Sequence, residues 1–254
     1  MLGLRNLYRV FQESRSAARR QVALAVTGDS AEATTLADLL GAQRVADGAE
    51  AILAVNRTAD AAEVYISGDA IEVAETVSLS AVNVDAMSEV LAPRLASALE
   101  GDYLVPLGRG YPVFRRAACE EIIRNNARQN AFIGALPIPG ADMPVITANQ
   151  GRMVLGIAAA YGEELTMERA RELIGVLAAG FGLRALTRQL LKLVPVAGWA
   201  AAGVIGYAGT VAMGRAAILY FERGKKEPSA EERSEIMHRA REEAEAFFAR
   251  IRRR

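Results

Sequence analysis

The stretch that comes nearest to a chemical site is Gly28-Asp-Ser-Ala-Glu-Ala-Thr-Thr35, directly after the apolar run from Gln21 to Val26. A phosphate-binding loop between a strand and a helix needs two glycines whose backbone amides cradle the phosphates. It also needs a lysine to neutralise the terminal charge and a Ser or Thr hydroxyl to hold magnesium. Gly28 stands at the first glycine position and Thr35 at the hydroxyl position. Ala33 occupies the place of the second glycine and Thr34 that of the lysine, while Asp29 and Glu32 add negative charge where a triphosphate would sit. The loop is degenerate, and neither a bound nucleotide nor a metal is expected on it.

Other chemistry is thinly represented. With one histidine, His238, and one cysteine, Cys119, the chain offers no His-rich metal site and no internal disulfide. Neither a Ser-His-Asp set nor a zincin motif occurs. Glu120 and Glu121 are adjacent and do not share a helix face. Glu163, Glu164, Glu168 and Glu172 alternate with Arg169 and Arg171 and read as a solvated face. Tyr161 and Asp142 suit packing and capping. Lys plus Arg and Asp plus Glu both total 30, so no basic excess points to nucleic acid. The expectation is therefore a protein that is not an enzyme, needs no cofactor and binds no nucleic acid. The first twenty residues lack the apolar core of a signal peptide, so a cytoplasmic-side location is expected.

These groups are positioned by four segments. Residues 1–20 read as a basic amphipathic helix, with Leu4, Leu7, Tyr8 and Phe11 at helical spacing. Residues 21–107 alternate strand and helix. Strands are expected at Gln21–Val26, Ala51–Val55, Val64–Ile66 and Ala70–Ser78, with helices at Ala31–Leu40, closed by Gly41, and Val84–Leu99. The latter places Met87, Leu91, Leu95 and Leu99 on one face, with Pro93 as a possible kink. That pattern predicts a small, mostly parallel α/β sheet. Asp102–Pro112 reads as a linker.

Residues 113–223 read as helical and carry an internal repeat. Pro137, Gly140, Gly151 and Gly156 recur 58 positions later as Pro195, Gly198, Gly209 and Gly214. Pro137, Pro139, Gly140 and Pro195 are the expected hairpin breaks. Gly198, Ala202, Gly206, Thr210 and Gly214 recur every four residues, a small-residue stripe on which another helix can pack closely. Leu193–Gly214 carries no formal charge over nearly the length that spans a bilayer, with Arg184, Arg188 and Lys192 before it. A buried soluble hairpin and a membrane-embedded one both fit. Residues 229–254 read as a charged helix opened by a Ser229/Glu232 capping box, with Ile236, Ala240, Ala244, Phe247 and Ile251 as its apolar stripe. His238 is expected at its surface.

Two resemblances follow from these residues. The strand, Gly28 and Thr35, the run Ala51-Ile-Leu-Ala-Val-Asn56 and the pair Ser80-Ala81 resemble parts of a small P-loop GTPase domain. The resemblance is incomplete: Asn56-Arg57-Thr58-Ala59 lacks the lysine and aspartate of the guanine-reading signature, and Asp60 falls one residue late. A degenerate GTPase remnant and an unrelated small α/β domain both fit. The segment from Asn130 to Phe221 resembles a family of uncharacterised helical domains appended to Era-like bacterial GTPases and found as the C-terminal half of YcjF-like inner-membrane proteins. The matching pieces are Leu136-Pro-Ile-Pro-Gly-Ala-Asp142, Asn149-Gln150 with Met153, Ile157-Ala-Ala-Ala-Tyr161-Gly162, Leu193-Val-Pro-Val-Ala-Gly198 and Thr210-Val-Ala-Met-Gly214. The resemblance implies association with the cytoplasmic face of an inner or plasma membrane and no known reaction. The expected function is that of a non-catalytic, membrane-associated accessory or scaffolding protein with a pseudo-GTPase remnant. Its partners would be the membrane, a second copy or a GTPase. The alternatives are a soluble helical module that forms oligomers and a GTP-binding regulator.

Overall fold

A computed structural model describes residues 20–135, 142–166 and 199–253, together with Gln12, Glu168 and Leu173. The chain divides into two compact units, and the division falls between Glu121 and Ile122. The first unit is α/β and also takes in Ala160–Gly162; the second is helical.

In the α/β unit, β1 (Leu24–Thr27) leads through α1 (Ala31–Leu40) into β2 (Ala51–Arg57), followed by β3 (Ala62–Ser67) and β4 (Glu75–Leu79). The sheet order is β1-β2-β3-β4. Only β1 and β2 are parallel; β2–β3 and β3–β4 pair antiparallel. The sheet is thus mixed, and the expected mostly parallel sheet is corrected. The reason lies in the connections. A parallel neighbour needs a crossover of a dozen or more residues. Only the segment containing α1 is that long. Thr58–Ala61 closes a tight turn in which the Thr58 hydroxyl and the Ala61 backbone hydrogen-bond each other. The expected strand Ala70–Ser78 begins later, at Glu75.

Alternation sets the buried face: Leu53, Val55, Val64, Ile66, Val77 and Leu79 are buried, whereas Tyr65, Thr76 and Ser78 are exposed. Ser30 caps α1 by accepting from the Ala33 amide, and Gly41 ends it in the left-handed conformation. The helical stretch after β4 has three parts: α2 (Val84–Ala86), one wide π turn (Met87–Leu91) and α3 (Ala92–Ala98). Asn83 caps it through the Ala86 amide. The wide turn ends two residues before Pro93, whose ring and missing N–H do not fit a regular helix interior. Met87, Leu91, Leu95 and Leu99 are all buried, as the spacing predicts. The expected linker is instead folded: Leu104–Gly110 forms α4, with Leu104 and Leu107 fully buried.

The helical unit is built on α5 (Arg115–Ala135), which begins in the α/β unit, α6 (Asp142–Ala160), α7 (Trp199–Glu222) and α8 (Ala230–Arg252). The repeat pairs Gly151/Gly209 and Gly156/Gly214 fall inside α6 and α7. Most of residues 1–20 and the hairpin-break residues Pro137, Pro139, Gly140, Pro195 and Gly198 lie outside the described residues. The predicted capping box is present at α8: Ser229 Oγ accepts from the Glu232 amide, and the Glu232 carboxylate accepts from the Ser229 amide. His238 is exposed and faces Glu242 one turn on, at 3.6 Å.

Candidate functional site

Gly28 follows β1 with φ +123°, a conformation that L side chains rarely adopt, and a Cβ there would meet the Val55 carbonyl oxygen at 2.3 Å. Only Asp29 and Ser30 separate it from the first turn of α1. That leaves no room for the long loop of a phosphate cradle. Ala33 and Thr34 are inside the helix. The Thr35 hydroxyl donates to the Ala31 carbonyl at 2.9 Å, and the Thr34 hydroxyl to the Ser30 carbonyl at 3.4 Å. The Ala33 amide, which a phosphate would need, is bound to Ser30 Oγ at 3.1 Å. Arg44 donates to the Gly28 carbonyl, and Glu32 pairs with Arg57 at 3.2 Å. β1 lies at the end of the strand order, bridged on its outer side by Gln43. Open α/β sheets bind ligands where the strand order reverses, and this order contains no reversal.

The helical unit gathers its polar side chains at the centre. Asn130 of α5, Asn149 and Gln150 of α6 and Thr210 of α7 are all buried. Asn149 Nδ2 donates to Asn130 Oδ1 at 3.0 Å, and Asn130 Nδ2 donates to Thr210 Oγ1 at 2.9 Å. Gln150 Nε2 reaches the same hydroxyl at 3.4 Å. Thr210 Oγ1 donates in turn to the Gly206 carbonyl, one helical turn back, at 2.7 Å. Arg152, half-buried, starts the relay by donating to Asn149 Oδ1 at 3.0 Å. The Thr210 hydroxyl makes one donated and two accepted bonds, its full capacity. Three helices are thereby joined by side chains that satisfy one another.

The stripe residues flank this seam. A Cβ at Gly206 would lie 2.8 Å from the Asn130 carbonyl oxygen, and one at Gly214 would lie 2.3 Å from Ile123 Cγ1. The backbones of α5 and α7 therefore run antiparallel in close approach. Ala202 is in α7, and Gly198 lies outside the described residues. Gly203 meets the Phe248 ring, while a Cβ at Gly209 would have nothing within 4 Å.

A second polar cluster fastens α8 to α7. Tyr207 donates to Glu243 at 3.0 Å, and Arg215 reaches the other oxygen of that carboxylate at 2.8 Å. Burial first, and then the adjacent Glu243 charge, push the Tyr207 phenol up to about 12. Its ring stacks on Phe247 at 4.9 Å. Sequence reading placed Thr210 on the stripe and quoted Asn149-Gln150 only as part of a family match. It missed that Asn130, 80 positions from Thr210, closes the network. Helical periodicity marks a face but not its partner. Among the described residues, no group of three or more His, Cys, Asp or Glu side chains is placed to hold a metal ion.

An α/β unit followed by an Ala/Gly-rich helical unit with a polar seam is the class of protein these features define. The chain belongs to the family described as domain of unknown function DUF697, which matches residues 112–245, more than half of the chain. No curated protein and no solved structure matches it.

Proposed function

We propose that this protein is a non-catalytic scaffold that works at a membrane surface, on the cytoplasmic side, without spanning the bilayer. The membrane side of this reading rests on the resemblance of the segment from Asn130 to Phe221, and the observation that argues against spanning is the setting of α7. Gly203–Glu222 is long and apolar enough to cross a membrane, yet 78% of its apolar window is buried inside the chain. Its cover includes α8, whose outer face carries the pairs Arg239–Glu235 and Arg241–Glu245 in water. A helix clamped under such a face, and hydrogen-bonded through Thr210 to two other helices, is a core helix in this arrangement. Its buried polar groups are taken up by one another, which suits a rigid body that presents surfaces better than one that transforms a ligand.

The other readings have less support. Oligomerisation through the glycine stripe would need a free stripe, but Gly206 and Gly214 already face Asn130 and Ile123. A pseudo-GTPase remnant keeps the order strand, Gly28, helix; a GTP-binding regulator would also need the amide that Ser30 occupies. Fractionation of cells expressing the full chain tests the proposal. A surface-bound protein sediments with membranes and is released by an alkaline wash without detergent. Retention until detergent is added would establish a spanning protein. Recovery wholly in the soluble fraction would leave a soluble scaffold.

A further inference from the structure

We propose that the outer edge of β4 pairs with β4 of a second copy of this chain, across a two-fold axis through Val77, so that two four-stranded sheets become one. The inference goes beyond the membrane-surface reading and does not depend on it. The two edges of the sheet are treated differently. On β1 the Val26 amide donates to the Gln43 carbonyl at 2.8 Å and the Gln43 amide to the Leu24 carbonyl at 3.2 Å, so that edge is closed by its own chain. β4 stands at the opposite end of the strand order, and among the described residues no backbone bond is made on its outer side. Which groups face outward follows from the hairpin. The Thr58 amide donates to the Ala61 carbonyl, and hydrogen-bonded and open pairs alternate from there along the antiparallel ladder. Glu63 and Tyr65 therefore bond β2, while Ala62, Val64 and Ile66 bond Leu79, Val77 and Glu75. The Ala51 amide, which donates to the Ala23 carbonyl next to β1, obeys the same alternation. Thr76 and Ser78 are left with N–H and C=O groups aimed away from the sheet, and both residues are exposed.

An edge of this kind is a template for another strand unless proline, lysine or a bulge blocks it. β4 contains neither proline nor lysine, and its one charge, Glu75, is paired with Arg94 at 3.2 Å. The order of residues selects a second copy as the occupant. Thr76 and Ser78 lie symmetrically about Val77, so antiparallel pairing sets each Thr76 opposite Ser78 of the other copy. Each such pair then exchanges both N–H···O bonds. The side chains form Thr–Ser pairs on the exposed face, and Glu75 falls opposite Leu79, so no like charges meet. Residues before β4 in one copy come beside those after β4 in the other. Val73, 68% exposed, and Val84, 55% exposed, flank the strand on those two sides and add apolar surface. Stable interfaces bury about 1,200 Å² or more, and a short edge buries less, so the dimer is weak and concentration-dependent.

Sedimentation equilibrium of the full chain, from about 1 to about 100 μM, tests the assignment. The wild type should pass from monomer to dimer within that range. Ser78→Pro removes an outward N–H and keeps the bonds to β3, because proline is tolerated on an edge strand where its nitrogen faces solvent. Symmetry removes that bond twice, so the dissociation constant should rise about tenfold or more. Circular-dichroism melting identifies any variant that fails to fold, and Thr76→Pro then makes the same change at the other outward position. Phe132→Ser, at an exposed position in the helical unit, should leave association unchanged. Disulfide trapping reads the register. In a Cys119→Ser background, a mixture of Thr76→Cys and Ser78→Cys chains should cross-link under mild oxidant several-fold faster than either chain alone. A monomer throughout the concentration range overturns the proposal. So does a dimer that the folded proline variants leave intact, because another surface would then hold it. Cross-linking no faster in the mixture than in either chain alone overturns the pairing about Val77.

Discussion

The covered face of the β-sheet is wholly apolar, whereas the helical unit keeps Asn130, Asn149, Gln150 and Thr210 at its centre. The difference follows from how each kind of element fixes its register. In the sheet, side chains alternate with period two, so a slip of one residue would carry Val64 and Ile66 to the exposed face. Tight turns add a second restraint, and no polar core is needed. Helices α6 and α7 are rich in Ala and Gly, and their surfaces are smooth. Such faces can pack in several registers at nearly equal cost. Directional hydrogen bonds from Asn130 to Thr210 and from Asn149 to Asn130 select one of them.

The sharpest way to break this comparison is at the closest approach in the helical unit. Gly206→Leu would force a side chain against the Asn130 carbonyl, and overpacking at touching backbones should destabilise the protein by about 3 kcal/mol or more in urea unfolding. Gly209→Ala, one position before the stripe residue Thr210 but with open space around it, should instead be neutral or gain up to about 1 kcal/mol from helix propensity. Equal losses for the two would mean that α5 and α7 do not meet at Gly206.

Asn130→Leu comes next. It takes the acceptor from Asn149 and a donor from Thr210, and each orphaned buried group should cost about 1–3 kcal/mol. If the seam selects register, this variant should also broaden the amide NMR resonances of α6 and α7. Lost stability with sharp, unshifted spectra would reduce the seam to ordinary hydrogen bonds. In the α/β unit the corresponding weak point is a backbone conformation. Gly28→Ala, at φ +123° and against the Val55 carbonyl, should cost about 1–3 kcal/mol by thermal or urea unfolding. An unchanged midpoint would show that the turn after β1 relaxes freely.

The smallest effect concerns pH. Because the folded-state value for Tyr207 is raised from 10.0 to about 12, its contribution to stability is fully present below pH 10 and is lost as pH rises towards 12. Tyr207→Phe should flatten the alkaline slope of stability across that window. A slope identical in the two proteins would assign it to other groups.

The strand and helix pattern of residues 21–99 was largely legible, because apolar alternation, Ser30, Gly41 and the Met87–Leu99 spacing are local signals. The parallel sheet was misjudged because strand direction depends on the length of each connection, and Ala70 to Ile71 looked like strand. Leu104–Gly110 resembled a linker because its proline and glycines outweighed Leu104 and Leu107, which only the core of the unit buries.

The sequence by itself determined the types of element, the capping box at Ser229, the small-residue spacing of α7 and the defects of the loop after Gly28. These depend on neighbours within a few residues. Tertiary structure alone decided that Asn130 bonds Thr210, that Gly206 and Gly214 face α5 while Gly209 faces open space, and that Glu243 holds both Tyr207 and Arg215. Periodicity assigns a residue to a helix face. Which partner covers that face is set by close packing and hydrogen-bond satisfaction between segments tens of residues apart.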